Sequence, residues 1–374
     1  MKPRKDPEIR LRRYWEEPDT PIVTAGLSGL SLGYRAALRI RDAAYRLRVL
    51  RTGRLACPVI SIGNITLGGS GKTPVAELAA MTLVELGSRP AVVSRGYGRD
   101  TRGVHVVSDR DAIRLAARDA GDEPRLLAER LPGVPVVVGE NRLAAGRVAL
   151  ERCGATALVL DDGFQHRTVA KDLEVLVVNG RAPWGNRFLF PRGMLREPLA
   201  ALGRADMVVV TNPAGSADVD AVTGEVRRHN QRAPVLTAAY EVIEAYDLDS
   251  GRRFSAEALS GRRLLAFAGL GTPRGFADTL AGAGVRTPGL IEFPDHHWYA
   301  PDDVQSLARQ AVAVGADGLI TTEKDAMRLR GLPAPDVPLW VLAVRLRLTA
   351  GADPWLQAFA RVLAHDRERD ETRR

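Results

Sequence analysis

The stretch VISIGNITLGGSGKTPVAELAAMTLVELG, residues 59–87, decides the fold. VISIG is a short apolar run of strand character, and PVAELAAMTLVELG reads as a helix. Between them TLGGSGKT, residues 66–73, is a glycine-rich turn. Strand, glycine loop and helix in that order make a phosphate-binding loop. The backbone of Thr66, Leu67, Gly68, Gly69, Ser70 and Gly71 can turn its N–H groups toward an anion. Lys72 can reach β- and γ-phosphates, and the Thr73 hydroxyl can take a magnesium ion at the helix N-terminus. The loop departs from G-x-x-x-x-G-K-[ST] in opening on Thr66 rather than glycine.

Outward from this loop, further apolar strands recur between helical stretches: AVVS (91–94), VPVVVG (134–139), ALVLDD (157–162), LEVLVVN (173–179) and ADMVVVTN (205–212). Short apolar strands alternating with helices predict an α/β protein whose parallel sheet is covered on both faces. A P-loop NTPase-like domain is therefore expected over 57–234. VLTAAYEVIEAYDLDSGRRF reads as a hairpin link over 235–256. A second, smaller α/β domain is expected over 257–348, and a C-terminal helix and charged tail over 349–374. Residues 1–20 read as a solvated charged tail. The segment 21–56 reads as an amphipathic helix with apolar residues recurring from Gly26 to Leu50. In and just beyond it Arg35, Arg39, Arg41, Arg46, Arg48, Arg51 and Arg54 stand against the single acid Asp42. Two readings stay open: a helix lying on an anionic bilayer, or one docked on the protein's own core with its arginines in water.

The 374 residues, 45% hydrophobic and 26% charged, fit a globular chain with room for two cores. A net charge of +8 favours an anionic partner, whether nucleic acid, membrane surface or phosphorylated substrate. Cys57 and Cys153 offer neither a disulfide framework nor metal-ligand spacing, which points to a reducing cytoplasm. No apolar run approaches the ~18–20 residues of a spanning helix, and no signal-peptide pattern is seen. An N-K-x-D guanine-reading motif is absent. Aromatics at 5%, without zinc-finger or RNP patterns, argue against nucleic acid as the partner.

ALVLDD delivers Asp161 and Asp162 at a strand's C-terminal end, where a parallel sheet binds ligands. Both are magnesium candidates, but adjacent acids on a strand face opposite ways, so one is expected to serve the metal. By residue type alone, Asp122 in GDEP (121–124) starts a helix. His296 and His297 lack a third metal ligand.

GNITLGGSGKTP, SRGYGR (94–99), GDEP, DDGFQHR (161–167), PRGMLRE (191–197), PDHH (294–297) and TTEKDA (321–326) together resemble, in order and spacing over roughly 57–330, the tetraacyldisaccharide 4'-kinases. That family shares the threonine at the loop's first position. The resemblance implies ATP and Mg²⁺ as cofactors. It implies transfer of the γ-phosphate to the 4'-hydroxyl of tetraacyldisaccharide 1-phosphate, giving the 1,4'-bisphosphate of lipid A synthesis. It further implies peripheral attachment at the cytoplasmic face of the bacterial inner membrane, with an acylated disaccharide lipid and the membrane surface as partners and no protein partner required. Asp122 becomes the catalytic base, partnered by His296. Glu123, Gln165 and His166 fall near the metal, nucleotide or nucleophile. Arg95, Arg99, Arg142, Arg196 and Glu197 become candidates to clamp phosphate or sugar, and Glu323, Lys324 and Asp325 candidates to face the cleft.

Overall fold

The computed structural model describes Trp15 and residues 21–373. Trp15 apart, the expected charged tail over 1–20 lies outside the described residues. The strands are β1 (Val59–Gly63), β2 (Pro90–Ser94), β3 (His105–Ser108), β4 (Val136–Val138), β5 (Ala157–Asp161), β6 (Leu173–Asn179), β7 (Met207–Thr211), β8 (Val235–Asp247), β9 (Arg253–Ser255), β10 (Leu264–Ala268), β11 (Leu290–Glu292), β12 (Gly318–Thr322) and β13 (Leu339–Ala350). They form one sheet in the order β11-β10-β12-β13-β8-β7-β6-β1-β5-β2-β4-β3, with β9 added to β8. Pairing is parallel except at β3–β4, β8–β9 and β8–β13. The P-loop strand β1 lies centrally between β5 and β6, and every residue of β1, β5 and β7 is buried, as expected of strands covered on both faces.

One antiparallel ribbon carries the sheet from its first half to its second. β8 pairs through Val235–Ala238 with β7 and over its length with β13, and β13 pairs through Leu339–Leu342 with β12. With 13 residues, β8 spans ~43 Å at ~3.3 Å per residue. Each half has apolar clusters of its own. Ile60, Val75, Leu83 and Val159 lie in one cluster, while Leu264, Ala266 and Phe276 lie in another.

The helix α1 (Pro21–Arg46) starts with proline at its first position, where a missing N–H costs nothing. It stops at Arg46, earlier than the apolar pattern to Leu50 predicts. Arg48 takes a left-handed backbone conformation (φ 59°) that ends the helix with no glycine or proline to announce it. One face of α1 rests on the protein through Tyr34, Leu38 and Arg41, whereas Leu30, Leu32 and Ile40 are exposed. Arg35, Arg39 and Arg46 line one exposed flank. The C-terminal helix, Ala352–Arg373, continues through the charged run that reads as a tail, because Arg and Glu are good helix formers.

That C-terminal helix packs behind the P-loop helix. Trp355 is 1% exposed, its Nε1 donates to Thr82 Oγ1 at 2.9 Å, and its ring lies 4.6 Å from that of Phe359. Trp355→Ala is expected to cost about 3–5 kcal/mol in urea unfolding. A loss under about 1 kcal/mol would mean this helix contributes little to the core.

Candidate active site

Crossing from β1 into the helix α2 (Lys72–Glu85), the chain needs left-handed backbone at Gly68 (φ 96°) and Gly71 (φ 81°). Gly71 is doubly constrained, since a Cβ there would sit 3.1 Å from the Tyr240 hydroxyl and 3.3 Å from Thr211 Cγ2. Thr66 is absent from the positive-φ positions, so the loop's first position does not require glycine. Thr66 instead bridges to Leu195, while its carbonyl and hydroxyl accept from Asn64 Nδ2 at 2.8 and 3.3 Å. The same amide donates to Ser70 Oγ at 2.9 Å, stapling the loop across its mouth. Asn64, fully buried, is a site residue that sequence reasoning missed. Its signal is a polar residue directly after a wholly buried strand.

Asp161 and Asp162 leave the end of β5 in different directions, as adjacent strand residues must. Asp161 Oδ2 lies 3.5 Å from Thr73 Oγ1 and accepts from Ser94 Oγ at 3.1 Å. Its Oδ1 is buried with no hydrogen-bond partner among the described residues. Burial, with the charges of Glu123 and Asp162, pushes the Asp161 carboxyl up to about 7 against the pull of Lys72 and Ser94. Asp162 has φ 53° and turns to cations: Arg196 Nη1 donates to its two oxygens at 3.1 and 3.0 Å, and Lys72 Nζ lies 3.7 Å away. Burial would raise it, but Lys72 and Arg196 hold it at about 2. A buried carboxylate with an orphan oxygen beside the P-loop hydroxyl is a fitting donor set for a hard divalent cation.

Arg142 opens the helix Arg142–Cys153. Fully buried, it spends Nη1 on the Gly139 carbonyl at 2.7 Å, while Nε and Nη2 meet no partner among the described residues. Burial lowers its pKa to about 10 despite Asp161 and Asp162 nearby. Two unspent buried donors fit an anion. Burial, then the Arg142 charge, lowers His166 to about 4, so its ring is neutral at pH 7. Gln165 Nε2 donates to the Asn64 carbonyl at 2.7 Å, supporting the loop. Arg95 is exposed, with its charge felt at Arg142 and His166. Arg99 is tied to Glu140 at 2.7 Å. Glu197 is 2% exposed between Arg41 and Arg204 and so is engaged by protein groups.

The second half of the sheet brings the remaining groups. His296, itself at φ 58°, places Nδ1 3.0 Å from both oxygens of Asp122, at the start of the helix Asp122–Arg130. Lys324 Nζ lies 2.9 Å from Glu123, 3.1 Å from Asp295 and 3.4 Å from His296 Nε2. Because an ammonium only donates, Nε2 is the accepting nitrogen and Nδ1 carries the proton toward Asp122. Burial would raise Asp122, but the His296 hydrogen bond and the charges of Lys324 and Arg328 hold it at about 2. Glu123, Asp122 and Asp295 raise Lys324 against its burial, so it stays charged. Within TTEKDA, Lys324 alone meets the Asp122–His296 pair. Glu323 pairs with Arg130 at 2.6 Å, and Asp325 is fully buried, accepting from Tyr299 Oη at 2.7 Å. Sequence reasoning missed Asp295 and Arg328; Arg328 is fully buried with Nε 3.5 Å from Asp122. Among the described residues no His, Cys, Asp and Glu cluster has the makings of a zinc-type site.

The family described as Tetraacyldisaccharide-1-P 4'-kinase matches residues 23–361. The tetraacyldisaccharide 4'-kinase of Syntrophus aciditrophicus is 39% identical over 352 residues, covering 91% of this chain and 94% of its own. That of Anaeromyxobacter sp. strain Fw109-5 is 41% identical, covering 94% of this chain and 96% of its own. The crystal structure of LpxK from Aquifex aeolicus in complex with ATP superposes with a TM-score of 0.72 at 29% identity, covering 91% of this chain and 99% of that one.

Asp161 carries a pH signature. Its folded pKa stands above its ordinary 3.8, so metal-free folded protein loses stability as pH rises from about 4 through about 7. Asp161→Asn, neutral throughout, is expected to raise the melting temperature in EDTA at pH 8, with the gain shrinking toward pH 4. Equal melting curves at pH 8 would show that the carboxylate is not strained.

Proposed function

The chain belongs to the tetraacyldisaccharide-1-P 4'-kinase family, and from that premise we propose how its site performs the transfer. It phosphorylates the 4'-hydroxyl of tetraacyldisaccharide 1-phosphate at the expense of ATP, in lipid A biosynthesis. The observation that carries the mechanism is the Asp122–His296 pair, 3.0 Å across two halves of the sheet, with the neighbouring Glu123 felt at the P-loop carboxylate Asp161.

The loop backbone from Thr66 to Gly71 and the Lys72 ammonium hold the triphosphate. Thr73 and Asp161 hold Mg²⁺, whose chemistry when bound is to neutralise charge on the phosphate oxygens. Asp162, neutralised by Arg196, keeps Lys72 oriented rather than serving the metal itself. The spare donors of Arg142, within electrostatic reach of Asp161 and Asp162, are available to stabilise the charge that grows on the transferred phosphoryl group.

Asp122 accepts the proton of the 4'-hydroxyl as that hydroxyl's oxygen bonds to the γ-phosphorus and the bond from phosphorus to the β–γ bridging oxygen breaks, releasing ADP. A carboxylate held ionised at neutral pH is a weak base, but phosphoryl transfer through a loose transition state asks mainly for orientation. His296 fixes that orientation through Nδ1–H, and Lys324 fixes the tautomer of His296. Burial of these groups limits water and hence futile hydrolysis.

The acceptor carries four acyl chains, so the enzyme works at a bilayer. No described helix is long and apolar enough to cross one. The exposed Leu30, Leu32 and Ile40 of α1, flanked by exposed arginines, support attachment to an anionic surface at the cytoplasmic face, where ATP is available.

Labelled γ-phosphate from Mg²⁺-ATP should appear in detergent-solubilised tetraacyldisaccharide 1-phosphate, and Lys72→Ala should abolish it. Asp122→Ala is expected to lower kcat by about 10²–10⁴-fold while leaving the Kd for ATP within about 3-fold. Parallel loss of turnover and ATP binding would remove Asp122 from the proton-transfer role.

A further inference from the structure

The inner face of α1 lands on the two-residue segment Arg196-Glu197, and this contact has consequences at the P-loop. Arg41 Nη2 lies 3.2 Å from Glu197 Oε1, and Arg204 Nη1 lies 2.7 Å from Glu197 Oε2. The Tyr34 hydroxyl donates to the Arg196 carbonyl at 2.9 Å. Arg196 in turn faces inward. Its backbone N–H donates to the Ile65 carbonyl at 2.7 Å, its guanidinium grips Asp162, and Asp162 neighbours Lys72 at 3.7 Å. One step earlier, the Leu67 N–H donates to the Met194 carbonyl at 2.7 Å, so the strip 194–196 forms one wall of the phosphate loop.

We propose that Arg41 of α1 is a positioning residue for phosphoryl transfer, holding Glu197 so that the adjoining Arg196 keeps Asp162 and Lys72 in register. A helix that served only to hold the enzyme on a bilayer would need no ion pair to a carboxylate that is 2% exposed. Without Arg41, Arg204 still holds Oε2, but the buried Oε1 of Glu197 loses its hydrogen-bond donor, so the strip shifts to regain a partner for it. Such a shift moves Arg196, since the two are consecutive, and sub-ångström displacement near reacting groups is costly in rate. The helix that meets the lipid is thereby built into the wall of the site that phosphorylates it. Glu197 acts through protein contacts rather than by touching phosphate or sugar.

The inference rests on the role proposed above for Asp162, and the two are tested apart. Full-length wild type, Arg41→Met, Arg41→Lys, Glu197→Gln and the Arg41→Met/Glu197→Gln double variant are assayed in detergent micelles, where no bilayer has to be found. Binding to phosphatidylglycerol/phosphatidylethanolamine vesicles is measured separately by cosedimentation. Arg41→Met is expected to lower kcat about 10-fold or more with vesicle binding unchanged. Arg41→Lys should recover most of that rate, and the double variant should be no slower than Glu197→Gln alone. Wild-type kcat in Arg41→Met, rate losses that add in the double variant, or a fall in vesicle binding that matches the fall in rate would each overturn the proposal. Should Arg41→Met fail to fold, Tyr34→Phe decides: a lowered kcat supports the relay and an unchanged one overturns it. A full-rate Asp162→Asn enzyme would refute the site assignment, whereas a slow Asp162→Asn beside a full-rate Arg41→Met would refute only this inference.

Discussion

The rest of the site depends on the pairing of Asp122 with His296, two groups 174 residues apart that meet across the two halves of one sheet. Everything nearby serves to make that meeting possible. β8 and β13 carry the sheet from one half to the other as a long ribbon, so the halves share a spine rather than a flexible tether. Arg130 adds a second clasp, with Nη1 2.9 Å from Glu77 of the P-loop helix and Nη2 2.6 Å from Glu323, next to Lys324. Phosphate loop, Asp122 carboxylate and His296 imidazole are thus fixed relative to one another by buried ion pairs, whose value lies in geometry more than in net stability.

Two consecutive carboxylates acquire opposite characters from their surroundings alone. Asp161 points into a dry corner with an orphan oxygen and is pushed up to about 7, while Asp162 points at Lys72 and Arg196 and is held at about 2. The first is a carboxylate lacking a counter-charge of the kind a divalent cation would supply. The second already has its cations. Separation of acid strengths by environment is how one chemical group takes two roles in a site.

Much of this was legible in the sequence where local backbone geometry dictates residue type. The loop glycines, Lys72 and Thr73 are fixed by what a phosphate turn requires, and buried parallel strands must be short apolar runs. Where the chain relies on distant partners, legibility falls. Asp122 reads as an ordinary helix start, and the ordered motif blocks, not its own neighbours, single it out. Nothing local marks Arg41 as the partner of Glu197, 156 residues away. Glu197 itself reads as a clamp for substrate, yet both its oxygens are taken by arginines. β3 escapes the pattern because it has 4 residues, too few for alternation to register. The end of α1 was missed because Arg48, not glycine, takes the left-handed turn.

The most direct measurement of the shared role of Asp122 and His296 is a double-mutant cycle on kcat, using Asp122→Asn, His296→Ala and the two combined with the lipid acceptor in micelles. If the imidazole acts by orienting that carboxylate, the combined variant is no slower than Asp122→Asn alone. Independent, multiplying losses would contradict it, and would mean that His296 meets substrate or phosphate in its own right.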